Sequence, residues 1–249
     1  MSIKPCRPAW KSKMTARERF NRQMNYQDID RCFNMEFGYW AENFRSWKIF
    51  TENGITTNEE ADLFFNFDPI FSIKANLWMS PAFEKKEINR TATTSIIQNE
   101  DGLMAEVPLD NHDTIPHYLK SAIETPDDWL KVKKEWFQVD DPARIIDIAA
   151  LKRQHPDDRD YPLGVHCGSM IGKIRDMLTF EGLAYACFDY PEMVEDMVET
   201  ACQMVEHALD QLLPHWTFDY ASGWEDICFN KGPIVTIDFF KQVVVPRYK

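Results

Sequence analysis

The chain has 249 residues, of which 44% are hydrophobic and 27% are charged, values typical of a globular protein rather than of a disordered or membrane-spanning one. Its formal net charge of −12 argues against a general nucleic-acid-binding protein, because such a protein needs a basic face for phosphates. No break in composition divides the sequence, so we interpret residues 1–249 as a single domain.

The cysteine pattern and the N-terminus bear on the cellular compartment. The six cysteines lie far apart and include no Cys-x-x-Cys pair. In a chain of this length, that spacing favours free thiols in a reducing compartment. The first residues, Met1-Ser-Ile-Lys-Pro-Cys-Arg-Pro, contain no apolar run typical of a secretory signal. We therefore expect a cytoplasmic protein.

Strand signals and helix signals alternate along most of the chain. Four core strands are predicted, each followed by helical sequence, near residues 31–37, 64–67, 162–167 and 216–222. The second strand is an open choice, because the helix that starts at Asn58 could instead continue through it. The last two strands are separated by a long helical crossover, which implies that they pair in parallel.

Capping residues and apolar spacing predict the helices. The predicted caps are Thr15, Thr125, Asp189 and Thr236. The clearest helix follows Asp189, where apolar residues recur every three or four positions from Pro191 to Leu213. Residues 39–50 and 171–187 are also predicted to be helical.

Residues 83–107 depart from this pattern. They contain three short alternating runs, and the last two are joined by Asn99-Glu-Asp-Gly, a sequence typical of a hairpin turn. This segment predicts an antiparallel β meander inserted into an otherwise α/β chain.

Candidate site residues lie where the predicted strands end, because ligands of parallel sheets bind at the carboxyl ends of the strands. A carboxylate at a half-dry barrel mouth can have a raised pKa and can hydrogen-bond a substrate. The predicted catalytic residues are Asp68 and Asp226, and the predicted substrate-binding residues are Glu36, Tyr39, His166, Ser169 and Glu225. The alternative is that the acids are helix caps or solvated loop residues.

The adjacent pair His166 and Cys167 has the side chains that zinc prefers. Neighbouring residues on a strand point to opposite faces, so both could bind one ion only beyond the strand end. We favour a structural role for the pair and predict no metal ligands in this chain.

Several short stretches, taken together and in this order, resemble the uroporphyrinogen decarboxylase superfamily. They are Thr15-Ala-Arg-Glu-Arg-Phe, Asp30-Arg31, Gly38-Tyr-Trp, Phe180-Glu-Gly, Asp189-Tyr-Pro-Glu, Trp224-Glu-Asp and Pro246-Arg-Tyr-Lys. The likeness extends from about Thr15 to the last residue and is greatest to a divergent, decarboxylase-like branch. It implies a TIM-type (β/α)8 barrel, of which this chain supplies about the first four β/α units before it is truncated at its C-terminus.

The resemblance also implies a function. A carboxy-lyase would act on a tetrapyrrole-type or methylated one-carbon substrate at the barrel mouth, and Asp68 would match the family's aspartate that binds pyrrole NH groups. The family's decarboxylases grip substrate carboxylates with arginines after the first strand. Here the corresponding stretch, Met35-Glu-Phe-Gly-Tyr, has no arginine, which argues against uroporphyrinogen itself as the substrate.

Two alternatives remain open. One is a zinc-dependent methyltransferase acting between corrinoids and thiols, and the other is a non-catalytic ligand-binding barrel. No cofactor is expected in this fragment, although zinc is a candidate for the full-length protein. The expected partner is a small molecule, a tetrapyrrole or a corrinoid, with a homodimer as a compatible assembly and with neither nucleic acid nor membrane as a partner.

Overall fold

A computed structural model of the chain describes residues 3–109 and 116–249. It is a mixed α/β fold with a parallel sheet and an antiparallel sheet. The helices are Ala16–Met24 (α1), Ala41–Ser46 (α2), Lys48–Thr51 (α3), Asn58–Phe65 (α4), Pro126–Trp136 (α5), Ile148–Gln154 (α6), Gly172–Leu178 (α7), Phe180–Asp189 (α8), Pro191–Leu212 (α9), Ile237–Phe239 (α10) and Val245–Arg247 (α11). The strands are Phe71–Ile73 (β1), Lys86–Arg90 (β2), Thr94–Gln98 (β3), Met104–Pro108 (β4), His117–Lys120 (β5), Leu163–His166 (β6), Tyr220–Ser222 (β7), Cys228–Phe229 (β8) and Gly232–Pro233 (β9).

The parallel sheet has the strand order β1-β6-β7. Leu163 pairs with Phe71 on one side of β6, and Gly164 pairs with Tyr220 on the other. A Cβ atom at Gly164 would lie 2.3 Å from the Tyr220 ring, so this close pairing of β6 with β7 requires glycine. The strands predicted at 162–167 and 216–222 are thus confirmed as a parallel pair, although β7 is shorter than predicted.

Two of the strand predictions are wrong. Residues 31–37 form no strand, because most of their side chains are exposed and Asn34 exchanges its backbone hydrogen bonds with Asp68 rather than with a strand. Residues 64–67 are not a strand either, since α4 continues to Phe65 and ends at Asn66, whose φ is +56°. The strand that follows begins only at Phe71.

The α/β class is confirmed, whereas a closed barrel is not found. Within residues 3–109 and 116–249 the parallel sheet has three strands rather than four, and β1 and β7 each pair on one side only. In the same described part of the chain, no helix combines the length and the apolar composition that a bilayer crossing requires.

The predicted antiparallel meander is confirmed, with one more strand than expected. β2, β3, β4 and β5 pair in that order. Gly102 closes the β3–β4 turn with a φ of +79°, which suits glycine. All four residues of β5 are exposed, so β5 carries no alternating apolar signal by which it could be predicted.

The long helix α9 organises the main core. Its buried stripe packs with α5, α7, α8 and the C-terminal residues Val243 and Val244. The predicted helix over 171–187 divides at Thr179, whose φ of +71° separates α7 from α8. The predicted cap at Asp189 is wrong, because the cap position of α9 is Tyr190, while the caps at Thr15, Thr125 and Thr236 are confirmed.

Candidate functional site

The predicted site residues fall into two groups in different parts of the structure. One group lies before β1 or packs around α4, namely Glu36, Tyr39 and Asp68. The other lies in or after the carboxyl ends of β6 and β7, namely His166, Ser169, Glu225 and Asp226. The structure therefore does not bring the seven residues together into one site.

Asp68 is buried and forms ion pairs with two arginines. Its carboxylate accepts hydrogen bonds from Arg31 Nη2 at 2.7 Å, from Arg19 Nη1 at 3.1 Å and from the Asn34 backbone N–H at 2.8 Å. Burial favours a higher pKa for Asp68, but the hydrogen bonds from Arg31 and Asn34 and the charges of both arginines outweigh it and hold the pKa below its usual value. Because Asp68 precedes β1 and its oxygens already have partners, the predicted role in ordering a substrate at the mouth is not supported by its position.

Asp219, just before β7, has the same kind of environment. It accepts hydrogen bonds from Arg17 and Asn21 of α1 at 2.8 Å, from Arg159 at 3.0 Å and from the Leu163 backbone at 2.9 Å. Asp68 and Asp219 thus fasten α1 across the amino ends of the parallel strands. In β/α folds this end of the sheet serves stability.

Glu36 and Tyr39 lie near α4 rather than at the mouth. Glu36 is exposed and accepts a hydrogen bond from the adjacent Phe37 N–H at 2.8 Å, at the border of an open groove of about 460 Å³. The Tyr39 ring packs edge-on against Phe50, with centroids 4.9 Å apart. Burial, followed by the nearby negative charge of Glu36, raises the pKa of the Tyr39 hydroxyl.

The carboxyl ends of β1, β6 and β7 lead into a cavity of about 230 Å³, which we call the mouth cavity. Its walls come from the loops after all three strands and from α7 and α9. The lining residues are Ala75, Asn76, Leu77, Trp78, His166, Gly168, Ser169, Lys173, Ala201, Val205 and Trp224.

His166 is the last residue of β6 and faces the mouth cavity. Burial, followed by the positive charge of Lys74, lowers the pKa of His166 below its ordinary value and so favours the neutral imidazole. Cys167 packs against two clusters of the apolar core, and burial raises the pKa of its thiol. In residues 3–109 and 116–249, no three His, Cys, Asp or Glu side chains form a group that could hold a metal ion, and a zinc site at His166 and Cys167 does not fit this geometry.

Glu225 is a positioning residue. Its carboxylate accepts hydrogen bonds from the backbone N–H groups of Met170 at 2.5 Å, Ile171 at 3.1 Å and Gly172 at 2.9 Å, and also from the Ser169 and Tyr248 hydroxyls. These bonds join the loop after β7 to the start of α7. Glu225 and Ser169 therefore shape the mouth cavity, and the carboxylate has no free side for a ligand.

Asp226 does not line the mouth cavity. It is exposed and pairs with Arg175 at 3.1 Å. Arg175 also pairs with Asp176 and lies 5.9 Å from the centre of the Trp224 ring. Asp226 therefore acts on Trp224 only through Arg175, and the structure gives it no direct place in the cavity.

Sequence reasoning missed Trp78 and Lys173 of the mouth cavity and their neighbour Asp101. Trp78 donates its indole N–H to Asp101 at 2.7 Å, and Lys173 Nζ lies 3.8 Å from Asp101 and 5.4 Å from the centre of the Trp78 ring. Trp78 would have been a candidate had β1 been placed correctly, since it follows that strand. Asp101 belongs to the β3–β4 turn, and nothing local in the sequence indicates that this turn reaches the mouth.

The chain matches no model of a known protein family, no functionally characterised protein and no solved structure. The resemblance to the uroporphyrinogen decarboxylase superfamily therefore remains a prediction from the sequence stretches given above.

Proposed function

We propose that the chain is a uroporphyrinogen decarboxylase-like carboxy-lyase that acts on a small carboxylic acid in the mouth cavity. The observation that carries this proposal is the location of the cavity over the carboxyl ends of three adjacent parallel strands, where β/α enzymes bind their substrates. The strands follow one another in chain order within the sheet, which is the arrangement expected if they belong to a TIM-type (β/α)8 barrel.

The part of the mouth that these three strands enclose fits a small substrate. Its volume of about 230 Å³ is below the range of roughly 300–1,000 Å³ that is usual for drug-sized ligands. A tetrapyrrole, with four rings and their side chains, needs more room than that. A small carboxylic acid fits, and so does a methylated one-carbon compound.

His166 is the residue to which we assign proton transfer. Loss of CO₂ breaks a carbon–carbon bond and leaves an electron pair on the substrate carbon, which must then take up a proton. The protonated form of His166 at the cavity wall can deliver that proton, which leaves the neutral imidazole, and the imidazole then regains a proton from water. The apolar side chains of Trp78, Trp224 and Val205 form part of the cavity wall and would accommodate the uncharged product CO₂.

The test is CO₂ release by the purified protein from a panel of small aromatic and 2-oxo carboxylic acids, with uroporphyrinogen as a comparison. We expect turnover of a small acid and a loss of about a hundredfold or more in kcat for His166→Asn. His215→Asn is the matched control, because His215 is exposed and lies outside the cavity. Faster turnover of uroporphyrinogen than of any small acid would refute the size argument.

A non-catalytic binding protein is the second candidate. The observation that favours it is that Asp68 and Glu225, two of the carboxylates predicted as site residues, both have their oxygens engaged in structural hydrogen bonds. This candidate predicts that small acids bind in the mouth cavity, that no CO₂ is released, and that His166→Asn changes only the affinity.

The zinc-dependent methyltransferase remains the third candidate. Elemental analysis of the purified protein distinguishes the alternatives. One tightly bound zinc per chain would favour methyl transfer over decarboxylation.

A further inference from the structure

The mouth cavity contains a lysine whose counterion is loosely held. Lys173 lies at the start of α7, and its ammonium group is 3.8 Å from the carboxylate of Asp101, close to the outer limit of an ion pair. None of the residues lining the cavity in the described part of the chain carries a carboxylate. The cavity therefore presents a positive charge on Lys173 that Asp101, at 3.8 Å, only partly compensates.

A second cluster of one tryptophan, one lysine and one aspartate has a shorter distance from lysine to aspartate. On α5 and α9, Asp196 accepts the indole N–H of Trp129 at 2.7 Å and the ammonium group of Lys133, also at 2.7 Å. In the mouth, the bond from Trp78 to Asp101 is equally short at 2.7 Å. The two clusters differ in the distance from lysine to aspartate, which is 2.7 Å for Lys133 and 3.8 Å for Lys173.

We propose that Lys173 binds the anionic group of a ligand in the mouth cavity, and that Asp101 is a resident counterion which this anion replaces. The ligand is then a small anion with a flat apolar body, because Trp78 and Trp224 supply the aromatic walls. The inference rests on the proposed function only for the location of the site.

The turn that carries Asp101 need not move when the counterion is exchanged. Asp101 keeps its bond to Trp78 through the other carboxylate oxygen, and the backbone bond from Phe83 N–H to Glu100 holds the turn at 3.1 Å. The flexible stem of Lys173, whose side chain is 33% exposed, can turn its ammonium group toward a ligand. The exchange therefore costs one weak ion pair and no backbone rearrangement.

The first test compares three probes of similar size in calorimetric titrations: benzoate, the neutral benzamide and the cationic benzylammonium. We expect benzoate to bind about tenfold more tightly than benzamide, which corresponds to one charge-assisted hydrogen bond, and benzylammonium to bind least. Lys173→Met should remove the preference for benzoate while leaving the affinity for benzamide unchanged.

The second test uses Asp101→Asn, which retains a carbonyl oxygen for the indole N–H of Trp78 and removes only the charge. Its expected effect is opposite in sign to that of Lys173→Met, a gain of about threefold or more in benzoate affinity. The matched controls are Lys133→Met and Asp196→Asn in the second cluster, which should leave all three affinities unchanged. Thermal melting of each variant verifies that it is folded.

Each outcome bears on one proposal or the other. Equal affinity of benzoate and benzamide, both lost in Trp224→Ala, would overturn the anion proposal and leave the site in place. Weaker benzoate binding by Asp101→Asn would overturn the counterion role. Absence of binding by all three probes at millimolar concentration would overturn the anion proposal, and release of CO₂ from a small acid in the same preparation would show that the proposed function survives it.

Discussion

Replacing Asp68 with Asn separates a structural role from a catalytic one. The carboxylate is 7% exposed and holds Arg19 and Arg31 together. Removing one partner of a buried ion pair typically costs about 3–5 kcal/mol. We expect about 3 kcal/mol here, at the lower end, because Asn keeps one oxygen as an acceptor and Arg19 retains its two hydrogen bonds to Asp30.

The assay is urea unfolding followed by tryptophan fluorescence, combined with ligand binding at the mouth under native conditions. Asp68→Asn should lower the free energy of unfolding and leave the affinity of the mouth cavity for benzoate unchanged. Asp226→Asn is the control, since its exposed carboxylate should change stability by no more than about 0.5 kcal/mol. An Asp68→Asn variant that is as stable as the wild type but has lost turnover would refute this reasoning and restore Asp68 as a catalytic residue.

The pH dependence of stability is a second test of the role of Asp68, made with the same variant. The pKa of Asp68 is lower in the folded protein than in the unfolded chain, where it is about 3.9. A group with a depressed pKa contributes stability above its unfolded pKa, and that contribution is lost as the pH falls through the folded value. The wild type should therefore lose stability below about pH 4, and the decrease should be smaller in Asp68→Asn.

Two further predictions concern Glu225, in the loop after β7, and Tyr248, whose hydroxyl donates a hydrogen bond to it. Glu225→Gln removes the charge that accepts three backbone N–H groups at the start of α7, so chemical unfolding should show a loss of about 2–4 kcal/mol, and a variant as stable as the wild type would contradict the assigned positioning role. Burial, followed by the hydrogen bond and charge of Glu225, raises the pKa of Tyr248. Because a raised pKa favours the neutral hydroxyl in the folded state, stability should decline as the pH rises above the unfolded value of about 10. Tyr248→Phe should flatten this decline in melting temperatures measured against pH, and an unchanged alkaline slope would show that the tyrosine is not its source.

The parts of the fold that could be predicted from the sequence are those whose signals are local. The apolar spacing of α9 and the buried run of β6 depend only on residues close together in the chain, and the Asn99-Glu-Asp-Gly turn closes a hairpin by its own chemistry. The same logic failed for residues 31–37. Their alternating apolar residues resemble a strand, yet Phe37 is 94% exposed. Asn34 is hydrogen-bonded to Asp68 and not to a neighbouring strand that would bury Phe37.

The misplaced second strand explains most of the error in the candidate site. Leu63-Phe-Phe-Asn-Phe fits a strand and a helix about equally well in the sequence, and only the packing of Ala61 and Phe64 against Phe50 selects the helix. Moving the strand from residues 64–67 to Phe71–Ile73 moves Asp68 from the carboxyl end to the amino end of the sheet. A local ambiguity of a few residues thus reverses the function inferred for a carboxylate.

The two ends of the parallel sheet differ in how tightly their charged side chains are paired. At the amino end, both oxygens of Asp68 and of Asp219 accept hydrogen bonds from arginines, and these ion pairs hold α1 against the strands. At the carboxyl end, Lys173 and Asp101 are 3.8 Å apart beside an open volume. A charge that is already well paired gains little from a ligand, whereas a loosely paired charge next to a cavity can exchange its partner. On this physical ground, we infer that the ligand binds at the carboxyl end and that Lys173 rather than Asp68 recognises it.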